Sequence, residues 1–309
     1  MRNVRFVLLA IVAAIVTFVT ARFINNAYVF FAGYVVPQYI VLATAWNILG
    51  GYTGYVNFGT AAFFALGAYT TVVLHKTVPA LPLPAMMVVG GLISGVIGLG
   101  MGYLTLRLRG TFFSIATLAM AVVAQTLITN WGFVGGSRGA YIIRPAASPI
   151  FPGDYIQYLF VVMLALAAIS VALARAIQHS RLGYGFSAIR DDELAAEASG
   201  VPTLRLKLIA TTLSGGLMGM AGAPLPYYVT YLDPASGFSL SYAVNTIAMP
   251  LVGGTATWLG PVIGAVLLGT LQQVATVTIS SALSLLLVGV LLVGFVIAAP
   301  KGIVGWFSR

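Results

Sequence analysis

Residues 181–207 read RLGYGFSAIRDDELAAEASGVPTLRLK and hold Arg181, Arg190, Asp191, Asp192, Glu193, Glu197, Arg205 and Lys207. Those eight belong to a chain of 309 residues with only 15 basic and 6 acidic side chains. Apolar runs flank the stretch on both sides, so it is a polar island between segments that avoid water. Its pattern predicts two short helices, the second capped by Asp191 and carrying Leu194, Ala198 and Val201 on one apolar side. Gly200, followed by Pro202, predicts a helix stop. A knob of this kind presents Ala195, Ala196 and Ala198, whose small side chains let another surface approach closely. Spacing alone leaves two readings open, a docking element for a soluble partner and an ordinary solvated loop.

Outward from this island the chain is almost all membrane. Sixty per cent of residues are hydrophobic, 7% are charged and the mean hydropathy is +1.01. These values predict an all-α, polytopic integral membrane protein, with residues 1–309 as a single transmembrane domain. A net charge of +9 would point to nucleic acid in a soluble protein. Here the basic residues lie between apolar runs and set orientation instead, so no nucleic-acid partner is expected. The chain has no cysteine. Disulfides, thiolate metal sites and cysteine nucleophiles are thereby excluded.

Arg2 and Arg5 precede an apolar run from Phe6 to about Val19, which reads as a signal peptide or a first span. A retained span is expected, because it keeps the topology consistent. Further runs lie near 31–50, 57–75, 85–106, 111–130, 157–177, 207–228, 240–256, 260–278 and 283–300. At roughly twenty residues per crossing, that makes about ten spans. With both termini in the cytoplasm, eleven basic residues fall inside and four (Arg22, Lys76, Arg138 and Arg144) outside. This satisfies the positive-inside rule and places the 181–207 loop in the cytoplasm. The loops from Trp131 to Tyr155 and from Thr230 to Leu240 then face out.

Glycines recur at four-residue spacing as Gly91 with Gly95, Gly98 with Gly102, Gly215 with Gly219, and Gly260 with Gly264. Small residues at this interval allow close helix contact in lipid, so a compact bundle is expected. Two glycine-rich stretches, 50–59 and 253–261, argue against continuous helix and predict broken or re-entrant segments. They border a solute route or are plain turns between helices. Candidate path residues are Thr53, Asn57, Thr60, Thr117, Gln125, Gly253 and Gly254. Asn47, Ser114, Thr212, Ser214, Asn245 and Gln272 are further uncharged polar residues within spans.

The predicted spans carry no acidic residue, and His75 and His179 sit near span ends. Ion-gradient coupling usually relies on buried carboxylates or histidines, so it is not expected here. No phosphate-binding loop of the Gly-x-x-x-x-Gly-Lys-Ser/Thr type occurs, so ATP hydrolysis would fall to another subunit. Gly237-Phe238-Ser239 reads weakly as a serine-protease motif. That reading is disfavoured because a serine nucleophile needs a base to take its proton, and the only two histidines, His75 and His179, sit at predicted span boundaries while Ser239 is assigned to the outer side.

The chain resembles the permease subunits of branched-chain amino acid ABC transporters, in particular the longer, M-type member of the permease pair. Four blocks in order carry the resemblance. They are Asn47–Gly54 running into Phe58–Tyr69; Arg107–Leu118 with Gly135, Gly136, Ser137 and Gly139; Ser180–Gly183 with Ala188–Glu193, Ala195–Ala198, Gly200 and Lys207-Leu208; and Gly260-Pro261 with Gly264-Ala265. Pro300-Lys301-Gly302 closes the pattern.

The resemblance implies that residues 181–207 dock an ATPase. Arg181, Gly183, Arg190, Asp191, Asp192, Glu193, Ala195, Ala196, Glu197 and Gly200 are the implied docking residues. It also implies a second homologous permease, two ATP-binding subunits that use ATP and Mg, and an extracytoplasmic solute-binding protein. The implied setting is the plasma (inner) membrane of a bacterium or archaeon, in contact with lipid. No cofactor bound by this chain is expected. Thr60 stands where the family often has histidine, which keeps urea, short amides and other amino acids open as solutes beside leucine, isoleucine and valine. A passive small-solute channel is the alternative from another class.

Overall fold

The computed structural model describes residues 27–108, 110–147, 153–255, 257–278, 281–298 and 302–307. The first predicted span, with the question of its retention, lies outside them. The long helices are α1 (Ala27–Thr53), α2 (Thr60–Thr77), α3 (Leu83–Thr105), α4 (Thr111–Thr129) and α5 (Tyr155–Gln178). The polar island folds as α6 (Arg181–Asp191) and α7 (Glu193–Ala198), followed by α8 (Thr203–Gly222) and α9 (Leu225–Val229). After α10 (Pro234–Gly237) come α11 (Leu240–Gly253), α12 (Leu259–Thr278), α13 (Ser281–Ala298) and α14 (Gly302–Phe307).

Among the described residues, six helical stretches are long and apolar enough to cross a bilayer: Tyr28–Thr53, Leu83–Thr105, Thr111–Thr129, Tyr155–Gln178, Thr203–Val229 and Leu259–Thr276. The expected figure of about ten is not reached by this criterion. One physical reason is that α11 has only 14 residues, ending at Gly253 where the sequence pattern ran on to 256.

The two loops expected on one face do meet. β1 (Ala140–Tyr141) pairs antiparallel with β2 (Tyr231–Leu232), Ala140 opposite Leu232. This short ribbon is a small departure from the all-α expectation.

Packing follows the glycine spacing. α3 lies along α8, where a side chain at Gly91 would collide with Met220 and one at Gly219 with Ser94. At Gly67 of α2 even a Cβ would run into the Gly219 carbonyl, so the two backbones touch. Without a hydrophobic force between helices in lipid, such contacts are what hold a bundle together. The core between α1, α2, α5 and α8 contains fully buried Tyr34, Trp46, Phe63, Phe64, Tyr69 and Tyr158.

Contacts at the two ends fix the helix directions. At one end Tyr52 donates to the Ala174 carbonyl (3.3 Å), and the Trp258 amide donates to Gln178 Oε1 (2.8 Å). At the other, Lys76 donates to the Phe133 carbonyl (2.8 Å) and Tyr231 to the Arg138 carbonyl (2.9 Å). The 181–207 island sits at the first end.

Candidate functional site

The island forms two helices meeting at Asp192, and here the cap expected at Asp191 is corrected. Asp191 ends α6, whereas Asp192 Oδ1 accepts from the amides of Leu194 (2.9 Å) and Ala195 (3.1 Å). Asp192 has the extended backbone of an N-cap (φ −160°, ψ 108°), which Asp191 inside a helix cannot adopt. The apolar side is also corrected. Leu194 and Ala198 are exposed, and Ala196 is the residue of α7 that packs inward, so it is not on the presented surface. Ala195 remains exposed beside them.

Gly200 has φ +82°, and the amides of Gly200 and Val201 donate to the carbonyls of Glu197 (2.9 Å) and Ala196 (3.0 Å). This left-handed residue closes α7. Glu197 then accepts from the Thr203 hydroxyl at 2.6 Å, fastening the end of α7 to the start of α8. Gly183 lets α6 begin hard against the last turn of α5, since a Cβ there would collide with the Ile177 carbonyl. Arg181 is exposed at the first turn. Arg190 pairs with neighbouring Asp191 at 3.3 Å, and both are exposed, so this pair adds little stability.

Beneath α7 lies a cluster that the sequence reading missed. Lys207, expected to be an orientation-setting charge in the cytoplasm, is instead buried. Its Nζ donates to Glu193 Oε1 (2.7 Å), the Tyr55 hydroxyl (3.1 Å) and the Leu106 carbonyl (3.1 Å). It also lies 4.6 Å from the centre of the Tyr55 ring, and Tyr55 donates to Glu193 Oε2. A buried ammonium is tolerable only when paired and fully hydrogen-bonded, and this one is. Three segments therefore converge on this lysine of α8: the chain after α1, the end of α3 and the first residue of α7. The available signal was the 14-residue separation of two opposite charges across a glycine stop, which predicts no particular contact.

Tyr55 belongs to the first glycine-rich break, and the structure places that break at residues 54–59 between α1 and α2. Gly54 (φ +78°) faces Arg190, to which a Cβ would come within 3.3 Å. The break's backbone is anchored on all sides. Trp46 Nε1 donates to the Asn57 carbonyl (2.9 Å), Ser114 to the Val56 carbonyl (2.8 Å), the Phe58 amide to Thr117 Oγ1 (3.1 Å), and the Gly59 amide to Asn57 Oδ1 (2.7 Å). Irregular backbone surrounded by protein survives in a membrane on these terms.

Of the candidate path residues, Asn57, Thr60 and Thr117 thus gather at this break, with Thr53 one turn away on α1. Thr60 Oγ1 is buried without a hydrogen-bond partner among the described residues. Gln125 lies two turns further along α4, away from the group. Gly253 and Gly254 sit at the second break, which the first approaches through the last turn of α1. Asn47 Nδ2 donates to the Thr257 carbonyl (3.2 Å), and a Cβ at Gly51 would come within 2.7 Å of the Thr255 carbonyl.

The remaining chemical candidates have other partners. Ser239 Oγ caps α11 by accepting from the Ser241 amide at 3.3 Å. His75 Nδ1 is 2.9 Å from the Tyr227 hydroxyl, and His179 Nδ1 is 2.9 Å from the Arg175 carbonyl. Among the described residues there is no group of three potential metal ligands.

Six helical stretches long and apolar enough to cross a bilayer, with two irregular breaks and a charged helical knob, describe a multi-pass membrane protein. The chain belongs to the family described as branched-chain amino acid transport system / permease component, whose profile matches residues 27–296. It is 28% identical to the high-affinity branched-chain amino acid transport system permease protein LivM of Salmonella typhimurium and 27% identical to that of Escherichia coli K12; each match covers 86% of this chain and 67% of the relative. It is 25% identical to a probable branched-chain amino acid transport permease protein LivH of Methanocaldococcus jannaschii, over 82% of this chain and 84% of that one. No solved structure matches it.

Proposed function

We propose that this chain is a transmembrane permease subunit of an ATP-driven importer, carrying leucine, isoleucine and valine inward across a bacterial or archaeal plasma membrane. The observation that carries the proposal is the α6–α7 knob, capped by Asp192, closed by Gly200 and pinned by Glu193 to buried Lys207. An idle loop does not need a desolvated ion pair at its root.

In this reading the knob faces the cytoplasm, both termini lie on that side, and the chain makes about ten crossings. One of two ATP-binding subunits takes α7 and the first turn of α6 into a surface groove, with Leu194, Ala195 and Ala198 at the contact. Both subunits bind ATP and Mg, and this chain binds neither. A second, homologous permease or lipid covers exposed Phe112, Ile115 and Leu127 on α4. A solute-binding protein delivers the amino acid to the opposite end.

The stroke of the ATPases displaces α6 and α7 as one body, because Asp192 and Glu193 leave no slack at their junction. The Glu193–Lys207–Tyr55 cluster hands that displacement to the 54–59 break and to α8, a rigid-body mechanism of interface rotation.

The test is to co-purify the chain with whatever accompanies it in its native membrane and to reconstitute the complex in liposomes. Leucine uptake that requires ATP, a second permease and ATP-binding subunits is the expected result. Conduction by the chain alone without ATP would establish the channel alternative. An ATP-driven complex that ignores leucine, isoleucine and valine but carries urea or amides would reassign the solute.

A further inference from the structure

A cavity of about 520 Å³ opens at the end of the bundle opposite the docking knob. Tyr28, Phe31 and Tyr155 form its aromatic wall, and Arg144 and Asp154 each bring one charge to it, of opposite sign. These two residues do not pair with each other, although the ion pairs Arg190–Asp191 and Lys207–Glu193 show that neighbouring charges elsewhere in the chain do close up. Arg144 Nη1 is shut off from solvent without a hydrogen-bond partner among the described residues. A guanidinium N–H in that position is costly to leave unmatched.

The floor of the cavity leads inward. Phe31 stacks on Tyr228 with ring centres 4.4 Å apart, and Tyr228 stacks on fully buried Tyr34 at the same distance. Aromatic surface is thus continuous from the cavity to the interior of the bundle.

We propose that this cavity is an outer binding site for the zwitterion of an α-amino acid with an apolar side chain. Arg144 takes the carboxylate, Asp154 takes the ammonium, and Tyr28, Phe31 and Tyr155 enclose the side chain. A guanidinium matches a carboxylate through two parallel N–H donors, and an aspartate supplies acceptors only, so the site fixes which end of the ligand goes where. The assignment rests on the import reading above and places the site where a delivered solute first meets the permease. A phosphatidylethanolamine headgroup carries the same two charges, so the experiment must separate the two sources.

The purified full chain in lipid-free detergent is probed by saturation-transfer NMR with three compounds. These are leucine, 3-methylbutylamine (which lacks the carboxylate) and 4-methylpentanoate (which lacks the ammonium). Transfer to leucine is expected, with either single-ended analogue weaker by about tenfold or more, the loss expected for one charged hydrogen-bonding partner. Arg144→Gln should weaken leucine and 4-methylpentanoate while sparing the amine. Asp154→Asn should weaken leucine and the amine while sparing the acid. A merely structural role for either residue would weaken all three alike, which would overturn the proposal. Absence of leucine binding to the wild-type chain, or binding only of phosphatidylethanolamine added back in nanodiscs, would overturn it too. If the reconstituted complex imports leucine and the chain alone binds none, this site fails and the import reading stands. If the chain binds leucine and the complex does not import it, the site stands and the import reading fails.

Discussion

Lys207 Nζ lies 2.7 Å from Glu193 Oε1, with 3% of the lysine side chain and 13% of the glutamate side chain exposed. Fourteen residues separate the two in sequence, and between them the chain turns through the left-handed Gly200. Removing one partner leaves the other charge desolvated and uncompensated, at a cost of about 3–5 kcal/mol. Replacing both with neutral groups of similar shape costs far less. Lys207→Met and Glu193→Gln should therefore each lower the thermal unfolding midpoint in a fixed detergent, and the double variant should regain much of the loss. A double variant no worse than either single one corresponds to a coupling of about 3 kcal/mol or more. Strictly additive midpoint shifts would show that the two side chains do not act as a pair.

Gly200 presents a different kind of requirement. Nothing lies within 4 Å of where its Cβ would be, so space is not the constraint; the φ of +82° is. Asparagine tolerates that region, alanine loses about 1 kcal/mol, and a β-branched residue loses more. Gly200→Asn should keep solute-stimulated ATP hydrolysis in the assembled complex, while Gly200→Val inserts into the membrane but abolishes it. Normal stimulation in the valine variant would remove the case for this loop as the docking element.

The contrast between Gly67 and Gly100 tests packing alone. A Cβ at Gly67 would strike the Gly219 backbone, whereas one at Gly100, also within a long helix, meets nothing within 4 Å. Gly67→Ala should destabilise by about 1–3 kcal/mol through overpacking. Gly100→Ala should stabilise by about 0.5–1 kcal/mol, because alanine restricts the unfolded chain and favours helix. Melting curves of the two variants side by side decide it. Equal shifts would mean that α2 and α8 do not touch as described.

These cases explain which parts could be read from sequence. The apolar helices, the close glycine-mediated packing and the stop at Gly200 were legible because period, spacing and left-handed preference are local properties, whereas the pairing of α3 with α8 is a tertiary fact that spacing does not name. The cap was misplaced by one residue, because Asp191 and Asp192 are equally good capping residues and only the end of α6 chooses between them. The burial of Lys207 was illegible for a stronger reason. Its partners Tyr55, Leu106 and Glu193 come from three separate segments, and nothing in the local pattern distinguishes a snorkelling lysine from a buried one. The polar residues of the 54–59 break were picked out by composition, but their roles as backbone anchors depend on Trp46, Ser114 and Thr117 arriving from α1 and α4.

Asp233 supplies a pH dependence. Its carboxylate accepts from Ser236 Oγ (2.6 Å) and from the Ser236 amide (3.1 Å), capping α10 beside the β1–β2 ribbon. The hydroxyl bond, helped by backbone amides and opposed by partial burial, holds its pKa below the ordinary aspartate value. For a group depressed in this way, the folded state is favoured while the carboxylate is charged. The contribution is complete above the unfolded value, about 3.9, and disappears as pH falls through the lower folded value. Asp233→Asn keeps an acceptor for Ser236 but cannot titrate. The difference in melting midpoint between the native chain and this variant should therefore be constant near neutral pH and shrink between about pH 4 and pH 2. Asp233 is partly exposed, so salt should reduce the difference further. A gap that stays constant down to pH 2 would mean that the Ser236 bonds do not distinguish the charged from the neutral carboxyl, and that the cap is held by the ribbon instead.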